Sequence, residues 1–148
     1  MAQDESTRAV CVDASFALRL VIPHPVSEGV AAVWERWVRE DRRIVAPRLW
    51  VWEVTNGLWR ATLMARDTLP VDVAWESLEY LLALPVELQD VERHLERLWR
   101  EVLTPRRVAS AYDACYLVTA RVEEAELWTC DQRLARSAQG TGIVRLVE

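Results

Sequence analysis

Four acidic residues lie beside apolar segments of the chain, where a lone carboxylate is costly. Asp13 ends one apolar run, Glu53 interrupts another, Asp113 lies near the start of a helical pattern, and Asp131 ends a third run. A carboxylate in apolar surroundings needs a compensating charge or hydrogen bonds, and four together call for a cation. All-oxygen ligands suit Mg²⁺ or Mn²⁺ rather than zinc. The set therefore predicts a divalent-metal site.

Three of these acids also have a simpler interpretation as helix-capping residues. Asp13 and Asp131 each precede a helical pattern and could serve as N-caps. Asp113 follows Ser110 by three residues, as in a capping arrangement. Glu53 has no such explanation, because it interrupts a helix rich in Trp, Val and Leu. The occurrence of all four favours a functional site over separate caps.

All 18 basic residues are arginine, and this absence of lysine excludes rival chemistries. Phosphoacceptor receiver domains and haloacid-dehalogenase-type phosphatases also cluster aspartates at strand ends, but both rely on a lysine. A phosphate-binding P-loop needs several glycines and a Gly-Lys pair, whereas this chain has only four glycines. The acid cluster is therefore expected to work with a metal ion.

The bulk composition predicts a single cytoplasmic domain spanning residues 1–148. The three cysteines form no C-x-x-C pair and lie in apolar surroundings, which favours reduced thiols. Residues 1–8 are polar, unlike a signal peptide, and are expected to be flexible. No apolar run is long enough to span a membrane. The net charge of −5 argues against a general nucleic-acid coat but allows a local basic rim.

Short apolar runs alternate with longer helical patterns, which predicts an α/β fold with a mostly parallel central sheet and helices on both faces. Ligands in such sheets bind beyond the carboxyl ends of the strands, where Asp13 and Asp131 are expected to converge. The predicted strands span residues 9–13, 43–46, 86–88, 126–130 and 143–147. The predicted helices span residues 14–21, 26–41, 49–65, 70–83, 91–102, 110–123 and 132–137.

Apolar residues at helical spacing predict the buried face of each helix. The tryptophans share this spacing, so they are expected in the core or a dimer interface rather than stacked on bases. Trp50 is the candidate for exposure. The residues predicted to face inward on three helices are Val30, Val33, Trp34, Trp37 and Val38, then Val71, Trp75, Leu78 and Leu82, then Val91, Leu95, Leu98 and Val102.

Four segments resemble the signature blocks of PIN-domain nucleases. They are Val-Asp-Ala-Ser at 12–15, Pro-Arg-Leu-Trp-Val-Trp-Glu-Val-Thr-Asn at 47–56, Tyr-Asp-Ala at 112–114, and Thr-Cys-Asp-Gln-Arg-Leu at 129–134. Their order and spacing extend the resemblance over about residues 9–147. A chain of this size resembles the VapC-type toxin ribonucleases of VapBC toxin–antitoxin pairs. The resemblance implies RNA cleavage with Mg²⁺ or Mn²⁺, a sheet ordered 3-2-1-4-5, homodimerisation and a cognate antitoxin.

Carried over by block, the resemblance implies that Asp13, Glu53, Asp113 and Asp131 are the catalytic residues and metal ligands. Ser15 and Thr129 match small hydroxyl residues that support the site, and Asn56 matches the polar partner of the glutamate. Cys130 is a mild departure from the family pattern. A bound metal would activate a water for attack on the phosphodiester. The arginines expected to contact RNA phosphates, because they lie near the acidic blocks, are Arg48, Arg60 and Arg133.

Two alternatives remain within the same fold. One is a housekeeping PIN-domain RNA-processing nuclease, and the other is a non-catalytic PIN-like binding module, which the presence of all four acids disfavours. A toxin would be neutralised by an antitoxin segment that inserts a basic side chain among the acids. The groove expected to receive that segment lies around Trp34, Trp37, Trp50 and Trp52.

Overall fold

Five short strands form one sheet in the order β3-β2-β1-β4-β5, as predicted, and all the described pairs are parallel. The computed structural model describes residues 9–64, 69–104, 108 and 110–148. The expected flexible segment 1–8 and the predicted helix end at Ala65 lie outside the described residues. The strands are β1 (Val10–Val12), β2 (Ile44–Pro47), β3 (Val86–Gln89), β4 (Glu126–Thr129) and β5 (Val144–Leu146).

Helices surround this sheet and complete a single α/β domain. A 3₁₀ turn at Val91–His94 precedes α5, so the predicted helix 91–102 begins as a tighter turn. The first predicted helix ends at Leu18 rather than at residue 21. The helices are α1 (Ala14–Leu18), α2 (Ser27–Arg39), α3 (Leu49–Leu63), α4 (Val71–Ala83), α5 (Leu95–Val102), α6 (Ala111–Val122) and α7 (Gln132–Ser137).

The core lies around the central strands, and β1 and β2 are buried along their whole length. A parallel strand covered on both faces is apolar throughout, and the sequence Val-Cys-Val of β1 fits this rule. Trp37 stacks on Phe16 with ring centroids 5.0 Å apart and meets Trp128 edge-on at 5.3 Å. These aromatic contacts fix α1 and α2 against β4.

Several residues predicted to face inward are exposed instead. On α4, Trp75 and Leu82 face solvent and Val71 is 75% exposed, while Ala74 and Leu81 are buried. The prediction was wrong there because α4 packs mainly against α3, and that one contact covers only a narrow stripe. Val38 on α2 and Leu95 on α5 are also exposed.

Of the eight tryptophans, three are buried, four are exposed and Trp128 is intermediate. Trp34, Trp37 and Trp50 are buried, so Trp50 is not the exposed one. Three of the four tryptophans expected to line a groove are therefore covered, and Trp52 alone of that set is exposed. The exposed tryptophans are Trp52, Trp59, Trp75 and Trp99.

Within the described part of the chain, no helix combines the length and the apolar character needed to cross a membrane.

Candidate active site

Asp13 and Thr129 lie side by side where β1 and β4 end. The register pairs Val12 with Trp128, and the Asp13 amide donates to the Trp128 carbonyl at 3.1 Å. Asp13 is also the N-cap of α1, because its Oδ1 accepts from the Ser15 amide at 3.1 Å. The cap therefore orients this carboxylate at the carboxyl edge of the sheet.

Hydroxyl groups hold the second oxygen of Asp13. Its Oδ2 accepts from Ser15 Oγ at 2.9 Å and from Thr129 Oγ1 at 2.5 Å, and the two hydroxyls lie 3.1 Å apart. Ser15 Oγ also accepts from the Cys130 amide at 3.0 Å. Ser15 and Thr129, the predicted supporting residues, thus join Asp13 to the start of the β4–α7 connection.

Asp131 is the N-cap of α7 and is linked to Asp13 through Thr129. Its Oδ1 accepts from the amides of Arg133 and Leu134 at 2.8 and 3.3 Å. Its own amide donates to Thr129 Oγ1 at 2.9 Å. The capping interpretation and the site interpretation are therefore compatible, because each cap fixes a carboxylate at the same edge.

Asp113 lies in the first turn of α6 and is buried. Its amide donates to Ser110 Oγ at 3.2 Å, which is the predicted capping arrangement. Within the described residues its buried Oδ2 has no hydrogen-bond partner, and Arg133 Nη2 lies 3.5 Å away. The same Nη2 lies 3.4 Å from Asp131 Oδ2, so Arg133 spans the two carboxylates.

Glu53 reaches the site from α3 and is held by a residue that sequence reasoning missed. The hydroxyl of Tyr116 on α6 donates to Glu53 Oε2. Asn56, the expected partner, is exposed. Tyr116 follows Asp113 by three residues, which places both on one helix face. That spacing was the signal in the sequence that could have identified Tyr116.

Gly57 allows α3 to lie close to α1, because a Cβ there would overlap the Leu18 side chain.

Burial and mutual repulsion make three of these acids weaker than usual. Burial raises the pKa of Asp13, and the charge of Asp131 adds to this rise while the bonds from Thr129 and Ser15 oppose it. Burial also raises the pKa of Glu53, and the charges of Asp13, Asp113 and Asp131 raise it further. Burial raises the pKa of Asp113 against the opposing charge of Arg133. The four carboxylates therefore lie near enough to interact electrostatically.

The donor set fits a hard divalent cation better than a soft one. Every candidate ligand is an oxygen, and within the described residues the Oδ2 of Asp113 makes no hydrogen bond and is ion-paired with Arg133. In the described residues, no three His, Cys, Asp or Glu side chains already converge as a ready-made group of ligands. Mg²⁺ normally keeps several waters and needs few direct carboxylate ligands, so these residues can accommodate it through water.

The three candidate RNA-contacting arginines lie in different environments. Arg133 lies within 3.5 Å of the carboxylates of Asp113 and Asp131. Arg48 precedes α3, is largely exposed and forms an ion pair with Asp90. Arg60 lines a groove of about 760 Å³ whose lining also includes Ser15. The other residues lining this groove are mostly apolar and come from α1 and the turn after it, from α3 and from Leu69 and Pro70.

The cysteines are not candidates for chemistry. All three are free, and Cys11 and Cys115 are buried. Burial raises the pKa of the Cys130 thiol to about 11. A thiol with so high a pKa is almost entirely protonated near neutral pH and is a poor nucleophile.

The fold and the site together define a parallel α/β protein with an acidic centre at the carboxyl edge of its sheet. The model of the PIN domain family matches residues 10–139, and the chain belongs to this family. PIN domains are generally nucleases, which supports a hydrolase acting on nucleic acids.

A solved structure shares the fold over nearly the whole chain. The crystal structure of PAE2754 from Pyrobaculum aerophilum is similar with a TM-score of 0.61 and 21% identity, over 95% of this chain and 86% of that one. At this identity the likeness concerns the fold alone. A search of the curated proteins finds no match.

Proposed function

We propose that this protein is an endoribonuclease that depends on Mg²⁺ or Mn²⁺ and acts as the toxin of a type II toxin–antitoxin pair. One arrangement carries the nuclease part: Thr129 links Asp13 to Asp131 by hydrogen bonds, and the exposed Arg133 lies within 3.5 Å of both Asp113 and Asp131. Such a centre has excess negative charge, which a divalent cation would neutralise.

The residues of the chain have distinct proposed roles. Asp13, Asp113, Asp131 and Glu53 would hold the cation, directly or through water. When bound, the cation supplies an activated water and stabilises negative charge on the phosphate. Ser15 and Thr129 keep Asp13 oriented, and Arg133 is placed to exchange its contact with the acids for one with an RNA phosphate.

The nuclease proposal is tested by cleavage of RNA by purified protein. Cleavage should require Mg²⁺ or Mn²⁺ and stop in excess chelator. Asp113→Asn should abolish it. The matched control is Asp72→Asn, since Asp72 also lies in the first turn of a helix but is exposed. Cleavage that persists in chelator, or in the Asp113→Asn protein, would contradict a metal centre built on these acids.

The toxin role follows from the resemblance to VapC-type ribonucleases and is tested in cells. Expression of the wild-type protein should arrest growth, co-expression of the cognate antitoxin should restore it, and Asp113→Asn should need no rescue. A wild-type protein that cleaves RNA in vitro but leaves growth unchanged would favour the housekeeping RNA-processing nuclease instead.

The proposed antitoxin contact lies in the groove lined by Ser15 and Arg60. Its apolar lining, with Leu18, Ile22 and Met64, suits an amphipathic segment. A basic side chain of that segment could then reach the nearby acids and bond them bidentately. This groove replaces the one expected around the buried tryptophans.

A second copy of the chain is the other proposed partner. Trp52 and Trp59 on α3 and Trp75 on α4 are more than half exposed, and exposed aromatic side chains are enriched in interfaces. Sedimentation of the purified protein should give a dimer, and sedimentation of Trp59→Gln or Trp75→Gln should show a shift toward monomer.

A further inference from the structure

The contact between Tyr116 and Glu53 joins α6 to α3 at the acidic centre. The Tyr116 ring lies in the main hydrophobic core and is almost fully buried. Its hydroxyl emerges at Glu53 and donates to Oε2. Because core packing fixes the ring, the position of its hydroxyl is fixed as well.

Glu53 is the one acid of the four without an anchor at a helix start. Asp13 and Asp131 accept from backbone amides as N-caps, and Asp113 lies in a capped first turn. Glu53 lies within α3, and its side chain has more rotatable bonds than an aspartate. The charges of the other three acids repel it. Without a hydrogen-bond donor from the protein, the Glu53 carboxylate would be more stable if it turned toward water.

We propose that Tyr116 is a positioning residue for the acidic centre: its hydroxyl holds one carboxylate oxygen of Glu53 and leaves the other for the cation or a water bound to it. This inference rests on the proposed function. The hydroxyl replaces, for the mid-helix glutamate, the helix-cap contacts that fix the carboxylates of Asp13 and Asp131.

The test compares Tyr116→Phe with Tyr112→Phe. Both substitutions remove one hydroxyl from α6, but Tyr112 is exposed. Mn²⁺ binding to the metal-free protein is measured by calorimetry, together with the Mn²⁺ dependence of RNA cleavage. Tyr116→Phe should weaken Mn²⁺ binding by about 10- to 100-fold, as expected for one lost hydrogen bond to a charged group. The Mn²⁺ concentration needed for half-maximal cleavage should rise by a similar factor, and Tyr112→Phe should change neither quantity.

A double-mutant cycle with Glu53→Gln separates positioning from a structural role. If Tyr116 acts through Glu53, then Tyr116→Phe should weaken Mn²⁺ binding no further in the Glu53→Gln background. An equal additional loss there, or a lowered Tm with unchanged Mn²⁺ affinity, would overturn the inference. Wild-type protein that neither binds Mn²⁺ nor cleaves RNA would contradict the proposed function itself, and the inference would fall with it.

Discussion

Asp13 and Glu126 are equally buried carboxylates that have different partners. Glu126 is the first residue of β4, and Asp13 lies beside the last residue of that strand, Thr129. Each is 6% exposed. Glu126 lies at the amino end of β4 and pairs with Arg145 at 2.9 Å and Arg42 at 3.6 Å. Within the described residues, the Asp13 carboxylate accepts from two hydroxyls and an amide and has no basic partner.

The difference shows how the fold separates stability from function. At the amino edge, the charge of Glu126 is neutralised within the chain. At the carboxyl edge, hydroxyls orient the carboxylates without cancelling their charge, so a cation from solution can bind there. A site of this kind commonly lowers the stability of the fold in exchange for activity.

The largest expected effect is the loss of activity in Asp13→Asn. Cleavage should fall by at least about 100-fold, because substitutions of residues that only support metal ligands already cost up to that much. The Tm should change by less than about 3 °C or rise, because the asparagine oxygen can still accept from the Ser15 amide, its NH2 group can donate to the two hydroxyls, and a repelling charge is removed. A large loss of stability would instead show that Asp13 serves mainly as a helix cap.

The opposite result, a loss of stability without a loss of activity, is expected for Glu126→Gln. Removing this charge leaves the almost fully buried Arg42 side chain with a weaker partner, at a cost of about 3 kcal/mol. The Tm should fall by roughly 10 °C, while cleavage per folded molecule stays near the wild-type value. Glu87→Gln is the matched control, because its pair with Arg43 is exposed and should contribute little. Equal effects of the two substitutions on Tm would contradict the comparison.

The pH dependence of stability should also reveal the raised pKa values of the acids at the carboxyl edge of the sheet. The pKa values of Asp13, Glu53 and Asp113 are raised in the folded protein, so above about pH 4 the native state binds more protons than the unfolded state. The contribution of these groups to stability is then full below their unfolded pKa and is lost as pH rises through the folded pKa. In chelator, the Tm of Asp13→Asn relative to wild type should increase from pH 4 to pH 7. A constant difference would argue against the raised pKa.

The smallest effect is expected for Arg133→Gln. Arg133 is largely exposed, so its pairs with Asp113 and Asp131 should contribute little to stability. If it contacts an RNA phosphate, the KM for RNA should rise about three- to tenfold, and the salt dependence of binding should become weaker. Arg136→Gln on the same helix is the control, because Arg136 bonds Gln132 instead. If the KM for RNA is the same in both variants, Arg133 does not contact the RNA.

The order of elements was predictable from the sequence because strands and helices differ in period and are separated by Pro, Gly and capping residues. The placement of Asp13 and Asp131 followed from the same pattern, since a parallel sheet gathers its carboxyl ends at one edge. The exposed face of α4 was not predictable, because periodicity identifies an apolar stripe but not the area of the neighbour that covers it. The contact of Tyr116 with Glu53 depends on how α3 and α6 approach each other, which no local pattern contains.

The most direct test of an acidic centre left open for a cation is the Tm of wild-type, Asp13→Asn and Glu126→Gln proteins with and without Mn²⁺. A ligand that binds the folded state raises the Tm. Mn²⁺ should therefore raise the Tm of the wild-type and Glu126→Gln proteins and leave that of Asp13→Asn unchanged. No Mn²⁺ effect on the wild-type protein, or an equal effect on Asp13→Asn, would contradict the account.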